Sequence, residues 1–327
     1  MTDIAAKSLQ FDAQYAKWAR GQNLLDAAFK AATLFFAVLV LMLLGGVIVA
    51  LVDGAWPALR HFGLGFVTTE AWNPVTENFG ARAPIYGTVV TSTIAMVIGI
   101  PLSFGIAVFI TELCPPWLKR PIGIAIELLA GIPSIIYGIW GLFVLAPFLQ
   151  STLQPFLIDT LGELPVIGRL FAGPPLGIGV LTAGLILAIM VLPYITSVMR
   201  DVFETVPPML KESAYGLGCT TSEVVWNVVV PYTRVGIVGG IMLGLGRALG
   251  ETMAVTFVIG NAHRIRDSLL APGTTISAAL ANEFTEAVGD LYLSSLIALG
   301  LVLFVITFFV LAIAKLLLIR LQRQAGT

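Results

Sequence analysis

Six apolar runs, each long enough to cross a lipid bilayer, decide what this chain can fold into. A membrane helix needs about 20 mainly apolar residues. Segments 30–52, 84–111, 122–149, 175–199, 233–260 and 292–318 meet that length. Of the 327 residues, 57% are hydrophobic and 11% charged, against about 25% charged in a soluble domain. Too little polar surface remains to keep a globule dissolved. No series of alternating ten-residue segments stands out, which argues against an outer-membrane barrel. The expected fold is therefore an all-α integral membrane protein with six transmembrane helices. A net charge of −1 leaves no footprint for a nucleic-acid partner.

An even number of spans puts both termini on one side, and Lys and Arg choose the side. The 18 basic residues divide unevenly. Twelve lie in the tails and in the connections after spans two and four, from Lys7 to Arg323. Five, Arg60, Arg82, Arg169, Arg264 and Arg266, lie in the connections after spans one, three and five. The bias places both termini in the cytoplasm, together with Cys114 and Cys219, where thiols stay reduced. The remaining basic residue, Arg247, falls inside span five.

Residues 1–29 lack the charged, apolar and small-residue order of a cleavable signal. Ile4, Phe11, Tyr15, Trp18 and Leu25 keep an approximate helical spacing. The segment is expected to be a cytoplasmic tail, as an interfacial helix or frayed chain. The rest, 30–327, forms the six-helix domain, with its core at 84–318. His61 and His263 stand alone and read as loop residues, and no spacing suggests a metal site. Spans two and three share an echo, GIPLSFGIAVF from Gly99 and GIPSIIYGIWG from Gly131. Its prolines, Pro101 and Pro133, remove a mid-helix hydrogen bond. They are expected to serve packing or to act as paired hinges.

The longest cytoplasmic connection runs from Arg200 toward span five, and 200–231 reads either as a folded connection or as a lever that docks into another protein. Pro207 and Pro208 break the chain, and MLKESAYGLG reads as a short helix ended by Gly216 and Gly218. Thr220, Thr221 and Ser222 are candidate caps for a second short helix, which Pro231 is expected to stop. Glu212-Ser213-Ala214, then Gly218, then Val228-Val229-Val230-Pro231 match, in order and spacing, the pattern EAA, three residues, G, nine residues, I-x-L-P. That pattern is the cytoplasmic signature of permease subunits of ATP-binding-cassette importers. Serine replaces an alanine, and valines replace isoleucine and leucine.

The chain therefore resembles a type I importer permease, and the resemblance can be narrowed. GRALGETMAVTFVIGN (Gly246–Asn261), ELLAGIPSIIYG (Glu127–Gly138) and NPVTENFGARAPIYGTVVTS (Asn73–Ser92) resemble the phosphate-importer permeases, over most of residues 70–318. Sulfate permeases share the R-A-x-G-E core, so sulfate or molybdate is the alternative cargo; a stand-alone secondary anion transporter is a third reading. The resemblance implies a non-catalytic subunit of a bacterial inner membrane, with the Glu212–Pro231 loop inserted in a separate ATPase. ATP and Mg would be bound by that partner, since this chain has no GxxxxGK[ST] phosphate loop. A second permease and an extracytoplasmic phosphate-binding protein are the other implied partners.

Arg247 and Glu251 are the costly residues of span five. Arg247 lies 14 residues past Thr233, about 21 Å along a helix. Glu251 at i+4 can meet it on one face. An Arg at the bilayer centre costs about 2.5–3.5 kcal/mol on insertion scales, so both should face a bundle interior or a wet path. The planar guanidinium fork suits a tetrahedral oxyanion. Glu251 would either partly neutralise Arg247 or accept a hydrogen bond from protonated phosphate, or the pair would simply hold helices together. Gly236, Gly240 and Gly244, like Gly246 and Gly250, recur every four residues and allow close helix approach. Glu127 is expected inside span three, with a packing role or paired to Lys119 or Arg120.

Overall fold

The computed structural model describes the backbone of residues 2–165 and 167–324, and the side chains of 25–165 and 167–320. Two compact units are present, 1–53 and 54–327. The first is entirely helical where described. It belongs to α1 (Thr2–Phe62), which contains the candidate span Leu25–Phe62. Leu34, Phe35, Phe36, Leu41 and Leu43 are exposed along it, a surface suited to lipid rather than water. His61 lies in the last turn of this helix, not in a loop.

In the second unit a two-residue hairpin, β1 (Trp72–Asn73) and β2 (Asn78–Phe79), precedes the next span. α2 (Arg82–Leu113) ends in a π-helical turn, Phe109–Leu113. α3 (Pro116–Gly131) is a separate helix. α4 (Ser134–Leu161) is the third candidate span, and α5 (Val180–Glu204) the fourth. The short α6 (Pro208–Gly216) leads to α7 (Thr221–Leu249), the fifth. After it come α8 (Met253–Val258), α9 (Ile276–Glu283) and α10 (Asp290–Gln324), which carries the sixth. Among the described residues, six helices are thus long and apolar enough to span. With spans two and four packed along their length, Ala95, Met96, Ala183, Ile186, Leu187, Val191 and Ile195 form the core.

Three expectations are corrected. Span three starts at Ser134, not at 122, because the chain breaks at Ile132 and Pro133. A residue before proline is pushed out of the α region, and Ile132 is extended at φ −70, ψ 127. Two tyrosines satisfy the carbonyls freed there, Tyr137 Oη donating to Leu129 O at 2.8 Å and Tyr194 Oη to Ala130 O at 3.1 Å. Pro101, by contrast, lies inside an unbroken helix, so the two prolines are not a matched pair of kinks. Second, Pro231 does not stop the second short helix. A π-helical turn, Val225–Val229, widens the coil just before it, and the helix continues to Leu249. The wider turn accommodates a residue with no N–H to return to the preceding turn. Third, span five is not continuous to residue 260. It ends at Leu249, with Gly250 as its C-cap and Glu251 and Thr252 outside any helix.

Of the two glycine repeats, Gly236, Gly240 and Gly244 meet a neighbouring helix closely, while Gly246 and Gly250 do not. A Cβ at Gly236 would strike Val202, one at Gly240 would crowd Val198, and one at Gly244 would strike Ile195. All three neighbours lie on α5, so α7 packs backbone-close against span four.

Candidate functional site

The break after α7 places the charged pair. Arg247 lies in the last turn of α7, where a cation complements the helix dipole. Glu251 follows in the non-helical link and turns inward. Its side chain is 4% exposed and that of Arg247 40%, with Arg247 Nη2 3.6 Å from Glu251 Oε2. A buried carboxylate needs partners. Glu251 has the guanidinium on one oxygen and, on the other, the Ala254 N–H at 3.2 Å. Arg247 also lies over the Tyr194 ring, its Cζ 5.5 Å from the centroid, a cation–π contact. At 3.6 Å the pair is electrostatic rather than hydrogen-bonded. Arg247 donates no hydrogen bond to any described residue, so its fork of N–H groups is held in place but unspent.

The pair thus forms, but across a helix end rather than along one helix face. Both chain breaks lie near it. Tyr194, under Arg247, also holds the Ala130 carbonyl at the Ile132–Pro133 break. Gly138, one turn into α4, packs on Ala254 and Phe257 of α8. Irregular backbone at depth is tolerated where protein or a watery path satisfies it. The end of α8 and the link after it show how: Gly179 N donates to Val258 O, Val180 N to Ala271 O and Leu181 N to Leu269 O.

The 200–231 connection forms a second cluster. No residue of α6 is buried, and Met209, Leu210, Tyr215 and Leu217 stand exposed. Glu212 and Ser213 are exposed and Ala214 is half-buried. Gly218 has φ +88, the left-handed conformation that glycine adopts without a Cβ penalty. It closes a Schellman motif, in which Cys219 N donates to Ala214 O at 3.2 Å and Gly218 N to Tyr215 O at 2.9 Å. Thr220, among the three candidates, is the N-cap of the next helix, in a capping box with Glu223. Val229 is fully buried, beside half-buried Val228, against Phe203 and Val206. Val230 is half-buried and Pro231 exposed.

Lys211 was not singled out by sequence. Its Nζ lies 2.6 Å from Glu112 Oε1 in the π-helical end of α2, with side chains 18% and 6% exposed. Glu127 is corrected too. It lies on α3, outside the spans, 57% exposed and 3.1 Å from Arg200 Nη2. Lys119, an expected partner, instead donates to Thr111 O at 2.9 Å.

A third cluster gathers at the opposite end of the unit, around Glu283. Trp72 Nε1 donates to Glu283 Oε2 at 2.6 Å and Tyr292 Oη to the same oxygen at 2.7 Å. His263 Nε2 meets Oε1 at 2.6 Å, and its ring stacks on Trp72 at 5.0 Å. Burial works against the charged carboxylate, but the His263, Tyr292 and Trp72 hydrogen bonds outweigh it and hold Glu283 below its ordinary pKa. His263 is thus a loop residue with a specific partner. Nothing in the spacing of these four residues reveals the contact.

Six helices long and apolar enough to span among the described residues, one of them ending at a buried ion pair, define an integral membrane protein. A family model described as the binding-protein-dependent transport system inner membrane component matches residues 99–323. The crystal structure of a bacterial alginate ABC transporter, in complex with an alginate pentasaccharide-bound periplasmic protein, aligns with a TM-score of 0.52 at 18% identity. It covers 85% of this chain and 92% of that one, a likeness of fold. The phosphate transport system permease protein PstC of Mesorhizobium japonicum is 68% identical over 303 residues, 93% of each chain. Its counterpart in Pasteurella multocida is 57% identical over 304 residues, 93% of this chain and 95% of that one. A probable PstC of Methanocaldococcus jannaschii is 41% identical over 258 residues, 77% and 80% of the two chains. The chain belongs to the binding-protein-dependent transport permeases and, within them, to the PstC phosphate transport system permeases.

Proposed function

We propose that this chain is one transmembrane half of an ATP-driven phosphate importer, with Arg247 as the cationic waypoint of its path. One observation carries the reading: a half-exposed guanidinium, fixed by Glu251 and Tyr194, that donates no hydrogen bond to any described residue. Such a fork matches a tetrahedral oxyanion and is already oriented for it. The burial of Glu251 favours the neutralising role: it lowers the hold on the anion enough for release while keeping Arg247 in place.

The chain sits in the bacterial inner membrane with both termini and α6 in the cytoplasm. α6 docks on a separate ATPase that binds ATP and Mg, while this chain binds no cofactor itself. Glu212, Ser213 and Ala214 face that partner, and Gly218, Val228, Val230 and Pro231 set the angle at which the loop enters span five. The path is completed by a second permease, and an external binding protein delivers the anion to the end opposite α6. Reconstitution with the three partner types tests the reading. ATP-dependent uptake of phosphate well above that of sulfate and molybdate is expected. Uptake that survives without ATP but collapses with the proton gradient would overturn it in favour of a secondary carrier.

A further inference from the structure

We propose that the coupling helix drives span two directly, through the Lys211–Glu112 ion pair, as well as spans four and five through the chain. The inference rests on α6 being the docking helix. Its covalent connections are short: 205–207 join it to α5 and 217–220 join it to α7. A connection of three residues can bend when pushed. The ion pair ties α6 to a third element, and Lys211 is the α6 side chain that makes a polar contact with another helix among the described residues.

The pair is built as a strut. Its N–O distance is 2.6 Å, and both groups are largely shielded from water. Two opposite charges at that distance, away from solvent, resist separation, since each would be left uncompensated. Glu112 sits in the π-helical turn that ends α2, next to Thr111, whose carbonyl accepts from Lys119 of α3. α3 is linked in turn to α5 by Glu127–Arg200. Spans two and four pack closely along small side chains: Gly99 against Val191, Gly184 against Ile94, and Ser103 donating to Leu192 O. The strut therefore closes a triangle of α2, α5 and α6. A displacement of α6 then moves spans two and four as one body instead of being absorbed in residues 205–207.

The test uses the full reconstituted complex and reads ATP hydrolysis and uptake together. Glu112→Gln and Lys211→Met are each expected to keep hydrolysis and to lower the anion transported per ATP several-fold, since each removes one partner of the pair and frees α6 from α2. The charge swap, Glu112→Lys with Lys211→Glu, should recover most of that ratio, and uptake that falls in the single variants while hydrolysis per assembled complex is unchanged is what a merely structural role would not predict. An unchanged ratio in the single variants, or no recovery in the swap, would overturn the proposal. A second measurement covers loss of assembly. With Cys114 and Cys219 replaced by serine, Glu112→Cys and Lys211→Cys are joined by a short thiol cross-linker. The account expects transport to persist after cross-linking, because the two elements move together; abolished transport would contradict it. Absence of ATP-dependent uptake in the wild-type complex would instead count against the importer reading itself.

Discussion

Two ion pairs of this protein look alike in composition and differ in construction. Lys211 and Glu112 meet at 2.6 Å with both side chains largely enclosed, whereas Arg247 and Glu251 stand 3.6 Å apart with the arginine 40% exposed. The first spends its charge on its partner and can only transmit position. The second leaves a guanidinium oriented by a buried acid and an aromatic ring, with no hydrogen bond donated to any described residue. On the proposed reading, the difference separates a pair that transmits force from one that meets the substrate.

The comparison breaks most sharply at Arg247. Losing charge-assisted hydrogen bonds to an anion costs about 1.5–3 kcal/mol, so Arg247→Gln should cut initial uptake by roughly 10- to 100-fold. Arg247→Lys should fall in between, because a lysine keeps the charge but not the fork. Gly218→Val is next. A β-branched side chain at φ +88 is strained, and the entry of the loop into span five shifts. Transport per ATP hydrolysed should drop several-fold, with membrane insertion intact by fractionation.

Glu251→Gln leaves Arg247 uncompensated and should hold the anion more tightly, lowering KM and turnover together in uptake kinetics. Because Ala254 and Arg247 occupy the two Glu251 oxygens, the preference for phosphate over sulfate should stay unchanged. Altered preference would restore the protonated-phosphate role for Glu251. Tyr194→Phe keeps the ring under Arg247 and loses the bond to Ala130, so its effect on uptake should be smaller than that of Tyr194→Leu.

The smallest effect is expected at Glu283, far from either pair. Its pKa is held down in the folded protein, so its stabilisation is present above its unfolded value, about 4.3. That contribution is lost as pH falls through the lower folded value. Thermal unfolding scanned downward from pH about 5 should show a steep acid limb. Glu283→Gln should flatten it, at a cost near neutral pH of about 1–3 kcal/mol.

Residue spacing made much of this visible. Six spans, the helix-ending Gly218, the glycine stripe on α7 and the proximity of Arg247 to Glu251 all follow from local periodicity. Local reading failed where distant contacts decide. Ile132–Pro133 reads as a kink because nothing nearby announces Tyr194, 64 residues from the Ala130 carbonyl that it satisfies at the broken end. Lys211 finds Glu112 across 99 residues, and Trp72 finds Glu283 across 211. Glu127 was placed within a span because the apolar run hides the break, and with it Arg200 as its partner. Pro231 was read as a stop because a widened turn leaves no mark in composition.

The most direct test measures ATP hydrolysis and phosphate uptake together in the reconstituted Arg247→Gln complex. The account predicts hydrolysis still stimulated by the loaded binding protein, with uptake reduced roughly 10- to 100-fold, because α6 and its strut are untouched while the waypoint is gone. Uptake at the wild-type rate would contradict it and leave Arg247 a structural residue of the path's wall.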